Sequence, residues 1–309
     1  MQFKFFRLRF HFEAIDPVQF PPGPAANVFR GAFGTILREI ACTPACIDAL
    51  HVPGCGYARI FEPGQAHQDR GPSGLTDWPR PFVFRTAHLD ASRVPPGGHF
   101  YCDLHLFDTA HPALSYFVLA LSRFASDGFG VHRSRARLAC VEQLSLDDAV
   151  LARPFDGEKL FAAIMPCAIP LTPEERRVEK ILVRFVTPTE LKARDVLAER
   201  PDFSVLFARI RDRVSTLSAL YGDGPLAIDF RAIGERGQKV NMACCRLQPT
   251  HAARRSSRTG QVHALSGFIG EAEYEGDLGE FLPFLHAARW TGVGRQTVWG
   301  KGEIRVIER

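Results

Sequence analysis

The chain has 309 residues, 46% of them hydrophobic and 23% charged, with a formal net charge of +4 and a sequence pI of about 8.7. This length allows about two domains of ordinary size. The composition is that of a globular chain with a real core, and no apolar run is long enough to cross a bilayer. Mild basicity permits an anionic partner without requiring one. Phenylalanine is over-used at 25 residues against 5 tyrosines and 3 tryptophans, so the aromatic content reads as packing. Eight cysteines and an N-terminus charged at every second or third position point to a cytoplasmic chain with reduced thiols.

Residues 3–12 alternate, with Leu8, Phe10 and Phe12 set against Arg7, Arg9 and His11. That pattern predicts a half-buried strand, closed by Asp16-Pro17. A helix is expected over 25–41, with Val28, Phe29, Phe33, Ile36 and Leu37 on its apolar face. Arg30, Gly34 and Arg38 follow one another at intervals of four. The two arginines therefore share a face about 12 Å apart, with a glycine between them where something could approach closely. Glycine costs a helix about 1 kcal/mol against alanine, so Gly31 and Gly34 need a reason.

Residues 42–98 read as an irregular Cys/Pro/Gly-rich insertion. Cys42, Cys46, His51 and Cys55 are four soft ligands in one loop and suggest zinc. No tight C-x-x-C pair is present, and no metal or other cofactor is expected. A strand at 99–107 and a helix at 112–124 lead through Gly128 and Gly130 into a basic strand carrying Arg133, Arg135 and Arg137 on one face. The first domain is placed at 1–150, and the proline-studded stretch 145–173 reads as a linker.

The second domain is placed at 176–309. It opens with a strand at 181–186 and a long helix at 202–221 that stops at Gly222. Strands at 239–247 and 261–274 flank a basic loop as a hairpin. A helix at 277–290, opened by Asp277 and Glu280, then gives way to the Gly292–Gly294 turn and a last strand at 303–307. In the loop Arg254, Arg255 and Arg258 stand among Ser256, Ser257, Thr259 and Gly260, and residues 241–270 hold four arginines and no acid. Small residues beside guanidinium forks let a phosphodiester backbone lie close to main-chain N–H groups. A merely solvated basic loop has the same composition.

The halves share a pattern. Phe117, Leu121, Gly128 and Gly130 are separated by 4, 7 and 2 positions, as are Phe281, Leu285, Gly292 and Gly294. Together with the strand–helix order, this predicts an α+β chain of two tandem ferredoxin-like, RRM-like βαββαβ domains with a cleft between them. The run from Gly294 to Lys301 is no Walker loop, because its spacing is one residue too long and no Ser or Thr follows the lysine.

Three segments resemble the CRISPR-associated endoribonucleases that cut repeat-containing precursor RNA, the Cas-six family of the RAMP superfamily. They are SGFIGEAEYEGDLGEFLPFLHAARWTGVGRQTVWGKGEIRV at the C-terminus, the arginine-serine stretch RRSSRTGQVHALSG, and VFRGAFGTILREIAC in the first helix. The resemblance implies recognition of a CRISPR repeat stem-loop in precursor crRNA. It also implies metal-independent cleavage at the 3′ base of the hairpin by the upstream 2′-hydroxyl, giving a 2′,3′-cyclic phosphate and a 5′-hydroxyl. Other CRISPR effector subunits would be further partners, with no membrane association.

The family pattern has a histidine in or beside the first helix where this chain has Thr35, and in members without it lysine or arginine carries the electrostatic burden. Arg30 and Arg38 are accordingly assigned to the scissile phosphate, with His263 as the alternative base. A structural histidine on a strand is the equal reading of His263. Arg254, Arg255, Ser256, Arg258, Gly292, Gly294, Arg295 and Lys301 are assigned to RNA binding. A non-catalytic RNA-binding subunit of the same superfamily is the rival reading of the whole chain.

Overall fold

A computed structural model describes residues 1–309 apart from 24, 48–49, 67–71, 73–74, 76, 131, 162, 174–175, 194–195, 251–252 and 256–261; at 66, 253–255 and 262–264 it describes the backbone only. The chain divides into two units. One comprises Lys4–Cys167 with Thr216–Gly224, and the other Met1–Phe3, Ala168–Ser215 and Pro225–Arg309. They are called the first and second unit below.

The first unit is built from β1 (Gln2–Ala14), α1 (Ala26–Ala41), two short helices α2 (Gly56–Phe61) and α3 (Pro63–Ala66), β2 (Phe82–Arg85), β3 (His99–Leu106), α4 (Leu114–Asp127), β4 (Ala136–Leu144) and β5 (Val150–Phe155). Its strands lie in the order β2-β3-β1-β4-β5, every adjacent pair antiparallel. β1 takes the middle of the sheet, and the alternation of its second half puts Leu8, Phe10 and Phe12 together on one buried face.

The core of this unit is phenylalanine. Phe12 stacks on Phe100 at 5.1 Å, Phe33 on Phe117 at 4.3 Å, and Phe124 meets Phe129 at 4.2 Å. Each such pair adds about 0.5–1.5 kcal/mol beyond the area it buries.

The 42–98 segment is part of this core, where the sequence suggested a surface insertion. It supplies β2, whose Phe82 and Phe84 are fully buried and which completes the βαββαβ order. It also supplies Asp90, whose Oδ1 accepts the Ala25 N–H at 2.7 Å at the start of α1. The expected linker is likewise partly sheet, since β5 pairs with β4. Pro154 is tolerated there because β5 is an edge strand. The three arginines expected on one strand face separate. Arg133 sits in a turn at φ 48°, while Arg135 and Arg137 pair with Asp16 at 2.9 Å and Glu13 at 2.6 Å.

The second unit contains β6 (Lys180–Thr189), α5 (Phe203–Tyr221), α6 (Phe230–Gly237), β7 (Asn241–Thr250), β8 (Ala253–Arg255), β9 (Val262–Ala264), β10 (Gly267–Glu275), α7 (Leu282–Thr291) and β11 (Ile304–Glu308). The last turns of α5, from Thr216, belong to the first unit. The sheet order is β7-β10-β6-β11, again antiparallel throughout. Both sheets therefore have the ferredoxin-like arrangement, with the first strand of the motif between the third and the fourth.

Phe203, Phe207, Phe281 and Tyr274 pack edge to face beneath the second sheet, and Tyr274 Oη donates to the Pro201 carbonyl at 2.6 Å. The expected helix at 277–290 starts later, at Leu282, with no side-chain cap. Glu280 is engaged elsewhere, in a two-pronged pair with Arg236 at 2.6 and 2.7 Å. The spacing repeat marks equivalent places. Gly128 and Gly292 end α4 and α7 at φ 99° and 74°, a positive-φ backbone that favours glycine.

Candidate functional site

In the first unit the candidate residues lie on α1. Position 34 has to be glycine because Phe61, at the end of α2, fills the space: a Cβ there would stand 2.2 Å from Phe61 Cζ. The close approach expected at this glycine is therefore made by the chain's own ring. Arg30 is buried, with its guanidinium 4.7 Å from the centroid of the same ring, and Arg80 lies 5.3 Å from it. Burial lowers the Arg80 pKa. Arg38, two turns along, is half-buried. The two arginines expected to share a face differ in setting: Arg30 is packed into the fold, its guanidinium held beside an aromatic face, whereas Arg38 is half-buried. Thr35 is exposed, and its Oγ1 donates to the Gly31 carbonyl at 3.2 Å, so it offers α1 no ionisable group.

In the second unit β7 pairs with β10, and beyond them β8 pairs with β9, placing Arg254 opposite His263 and Arg255 opposite Val262 in a backbone ladder. The hairpin expected around the basic loop is present. Ser256 and Arg258 lie outside the described residues, as do the side chains of Arg254, Arg255 and His263.

The glycine turn after α7 is held by the chain itself. Gly294, at φ 81°, leaves no room for a side chain, since a Cβ would stand 2.3 Å from the Glu190 carbonyl oxygen. The Arg295 N–H donates to that same carbonyl at 3.0 Å. The Glu190 carboxylate takes Arg295 Nη1 at 2.6 Å and Lys301 Nζ at 3.1 Å. Lys301 also donates to the Ser266 carbonyl at 2.6 Å and Gln296 Oε1 at 2.9 Å, and its side chain is fully buried. Burial lowers its pKa, and Glu190 opposes that shift. Lys301 is thus an internal tie, and its expected direct contact with RNA is corrected on that ground. Arg295 remains half-exposed.

Phe61, Arg80 and Glu190 were missed by sequence reasoning. Glu190 follows Pro188 closely at a strand end, but its partners are more than a hundred positions away, so no local pattern marks it.

Family models match the chain in two blocks: residues 3–161 match AF_1859_N, an N-terminal domain, and residues 183–304 match the CRISPR-associated endoribonuclease Cas6. An uncharacterized protein of Archaeoglobus fulgidus is 24% identical over 289 residues, spanning 91% of this chain and 90% of that one. The product complex of Cas6 (TTHB231) superposes with a TM-score of 0.56 at 18% identity, covering 99% of this chain and 100% of that one. Thermus thermophilus Cas6 (TTHB231) gives 0.54 at 18% identity over 98% of each chain. A partial Cas6-RT-Cas1–Cas2 complex gives 0.55 at 11% identity, covering 99% of this chain and 46% of the other. At these identities the likeness to solved structures is one of fold.

Gly34→Ala should destabilise the chain by about 1–3 kcal/mol through overpacking against Phe61, although alanine is the better helix former. Adding Phe61→Ala should make the alanine at 34 harmless in a double-mutant cycle. A thermal melt in which Gly34→Ala alone is neutral would show that the slot on α1 is not tight.

Proposed function

We propose that the chain is an RNA-cleaving enzyme of the Cas6 type, a reading supported by the match of residues 183–304 to the CRISPR-associated endoribonuclease Cas6 and by a fold shared with Cas6 structures. The proposal is that it binds the repeat stem-loop of precursor crRNA and cuts at the 3′ base of the hairpin without a metal ion in the chemical step. The observation that carries this reading is the Cas6 match over residues 183–304, which includes the basic hairpin and the glycine turn.

In the proposed step the 2′-oxygen upstream of the cut loses its proton to a base and bonds to phosphorus. The bond from phosphorus to the 5′-oxygen breaks, and that oxygen takes up a proton. The products are a 2′,3′-cyclic phosphate and a 5′-hydroxyl. Such a reaction needs in-line alignment, a proton acceptor and cations that meet the charge of the phosphorane. Arg38 is assigned the cationic role and His263 that of candidate base. Arg30, held under Phe61, supports the helix that carries Arg38. Arg254, Arg255, Ser256 and Arg258, with Gly292, Gly294 and Arg295, are assigned to RNA binding. Exposed Thr35 favours the second reading, a subunit that binds RNA without cutting it.

Cleavage of a repeat hairpin in EDTA, abolished by a single 2′-deoxy substitution upstream of the cut, is the expected result. Cutting of the deoxy substrate would rule out the 2′-hydroxyl route, and tight binding with no cleavage of either substrate would establish the second reading.

Arg38→Ala should lower the single-turnover rate at saturating protein about a hundredfold, since losing one transition-state contact costs roughly 3 kcal/mol. Arg30→Ala should act first on thermal stability, because a desolvated cation–π contact contributes about 2 kcal/mol. If Arg38→Ala cuts at the parental rate while His263→Ala is inactive, the chemistry belongs to the hairpin instead of α1.

Replacing Arg254, Arg255 and Arg258 together by alanine should flatten the salt dependence of RNA binding, each lost phosphate contact removing about one unit of slope or less. Lys301→Met should leave that slope unchanged and lower stability by about 1–3 kcal/mol, because the Ser266 carbonyl and Gln296 Oε1 lose their donor while Glu190 keeps Arg295. An unchanged slope in the triple variant would exclude the hairpin arginines from the interface.

A further inference from the structure

The segment between α1 and α2 gathers four soft ligands. Cys42 closes α1, its N–H bonded to the Arg38 carbonyl at 3.2 Å, and Cys55 immediately precedes α2. Cys46 and His51 lie on the loop between them, in the spacing C-x3-C-x4-H-x3-C. One ligand atom from each of the four residues lies within 4.8 Å of all the others. His51 Nδ1 is 3.6 Å from Cys42 Sγ and 3.5 Å from Cys55 Sγ. In a tetrahedron with Zn–S of about 2.3 Å and Zn–N of about 2.0 Å, the nitrogen–sulfur edge is about 3.5 Å. The edges measured here already have that length. All three cysteines are free thiols.

The surroundings select the right tautomer. His51 is almost wholly buried, and its Nε2 faces Glu62 Oε2 at 3.4 Å. Glu62 in turn accepts from Tyr57 Oη at 3.1 Å. A carboxylate on one ring nitrogen keeps the proton there and leaves the lone pair of the other for a metal. The second convergent group, His11, Cys140 and Glu142, is differently placed: Glu142 already accepts from Arg153 at 2.8 Å and pairs with His11 at 2.9 Å.

We propose that Cys42, Cys46, His51 and Cys55 form a closed Cys3His site for one structural zinc ion that fastens the end of α1 to the start of α2. Four protein ligands leave no position open for substrate, so the ion takes no part in cleavage. Its mechanical role follows from the fold. α2 carries Phe61, the ring that fills the slot at Gly34 and covers Arg30. The zinc thus anchors, through one short helix, the contact that orders the candidate catalytic helix.

The test uses the full chain purified under reducing conditions. Elemental analysis should find one zinc per chain. After chelation, added Co2+ alone should give the intense visible bands and near-ultraviolet sulfur-to-metal charge transfer of a tetrahedral thiolate site. Iodoacetamide mapping of the unaltered protein should show Cys42 and Cys46 protected by zinc and reactive without it, with Cys140 and Cys244 reacting alike in both states. Cys46→Ser should lose the tetrahedral cobalt spectrum, and Cys140→Ser should keep it. Glu62→Gln should weaken zinc binding about 10–100-fold.

Failure of the folded wild-type chain to bind zinc would overturn the proposal. So would alkylation of Cys42 and Cys46 that ignores zinc, a disulfide among the three cysteines in the purified chain, or a cobalt spectrum that follows Cys140. The alkylation map needs no substitution, so it decides the matter even if Cys46→Ser does not fold.

Discussion

The contact between Phe61 and α1 sets the arrangement of the first unit's candidate site. The ring can reach the helix only because residue 34 has no side chain, and its arrival covers Arg30. A helix glycine that costs about 1 kcal/mol in propensity is offset by the packing of an aromatic side chain and a cation over its face. Arg30 and Arg38 share a helical face but not an environment, since the ring covers one and leaves the other half-buried. The two arginines are therefore unequal in a way that their spacing alone does not show.

The second unit uses its glycines similarly. The turn after α7 has glycines at 292 and 294, and Gly294 permits a close approach to the 188–191 segment of the same chain. Glu190 binds the turn twice, through its carbonyl to the Arg295 N–H and through its carboxylate to Arg295 and Lys301. Burying a lysine is costly unless it is fully paired, and Lys301 has three acceptors. This knot ties the turn to the 188–191 segment and to Ser266.

Periodicity made most of both units legible. The alternation of β1 and the apolar stripes of α1 and α5 are local properties, readable within a window of a dozen residues. What escaped was short or non-local. β2 has four residues and sits in a Pro/Gly-rich stretch, so its pattern is too brief to register. α6 contains two glycines, although its cap was there to be seen: Asp229 accepts from the N–H groups of Arg231 and Ala232. The burial of Arg30 and Lys301 depends on Phe61 and Glu190, residues far off in sequence, and no pattern around either cation announces it. The four soft ligands were visible as residues, but their convergence was not, because loop spacing does not fix where a loop folds.

The backbone of the glycine turn is engaged with 188–191, and Lys301 is internal, so the turn offers chiefly the half-exposed Arg295 from among its cations. The hairpin of β8 and β9 differs in kind. It is a two-stranded ladder that carries Arg254 and Arg255, within a stretch, 241–270, that holds four arginines and no acid. A polyanion is drawn to regions of net positive charge, whereas a cation already neutralised by a carboxylate contributes little field. On that ground the proposed interface of this unit is the hairpin more than the turn. The glycine turn has the mechanical part, because the bond from Lys301 to the Ser266 carbonyl ties it to the chain that joins β9 to β10.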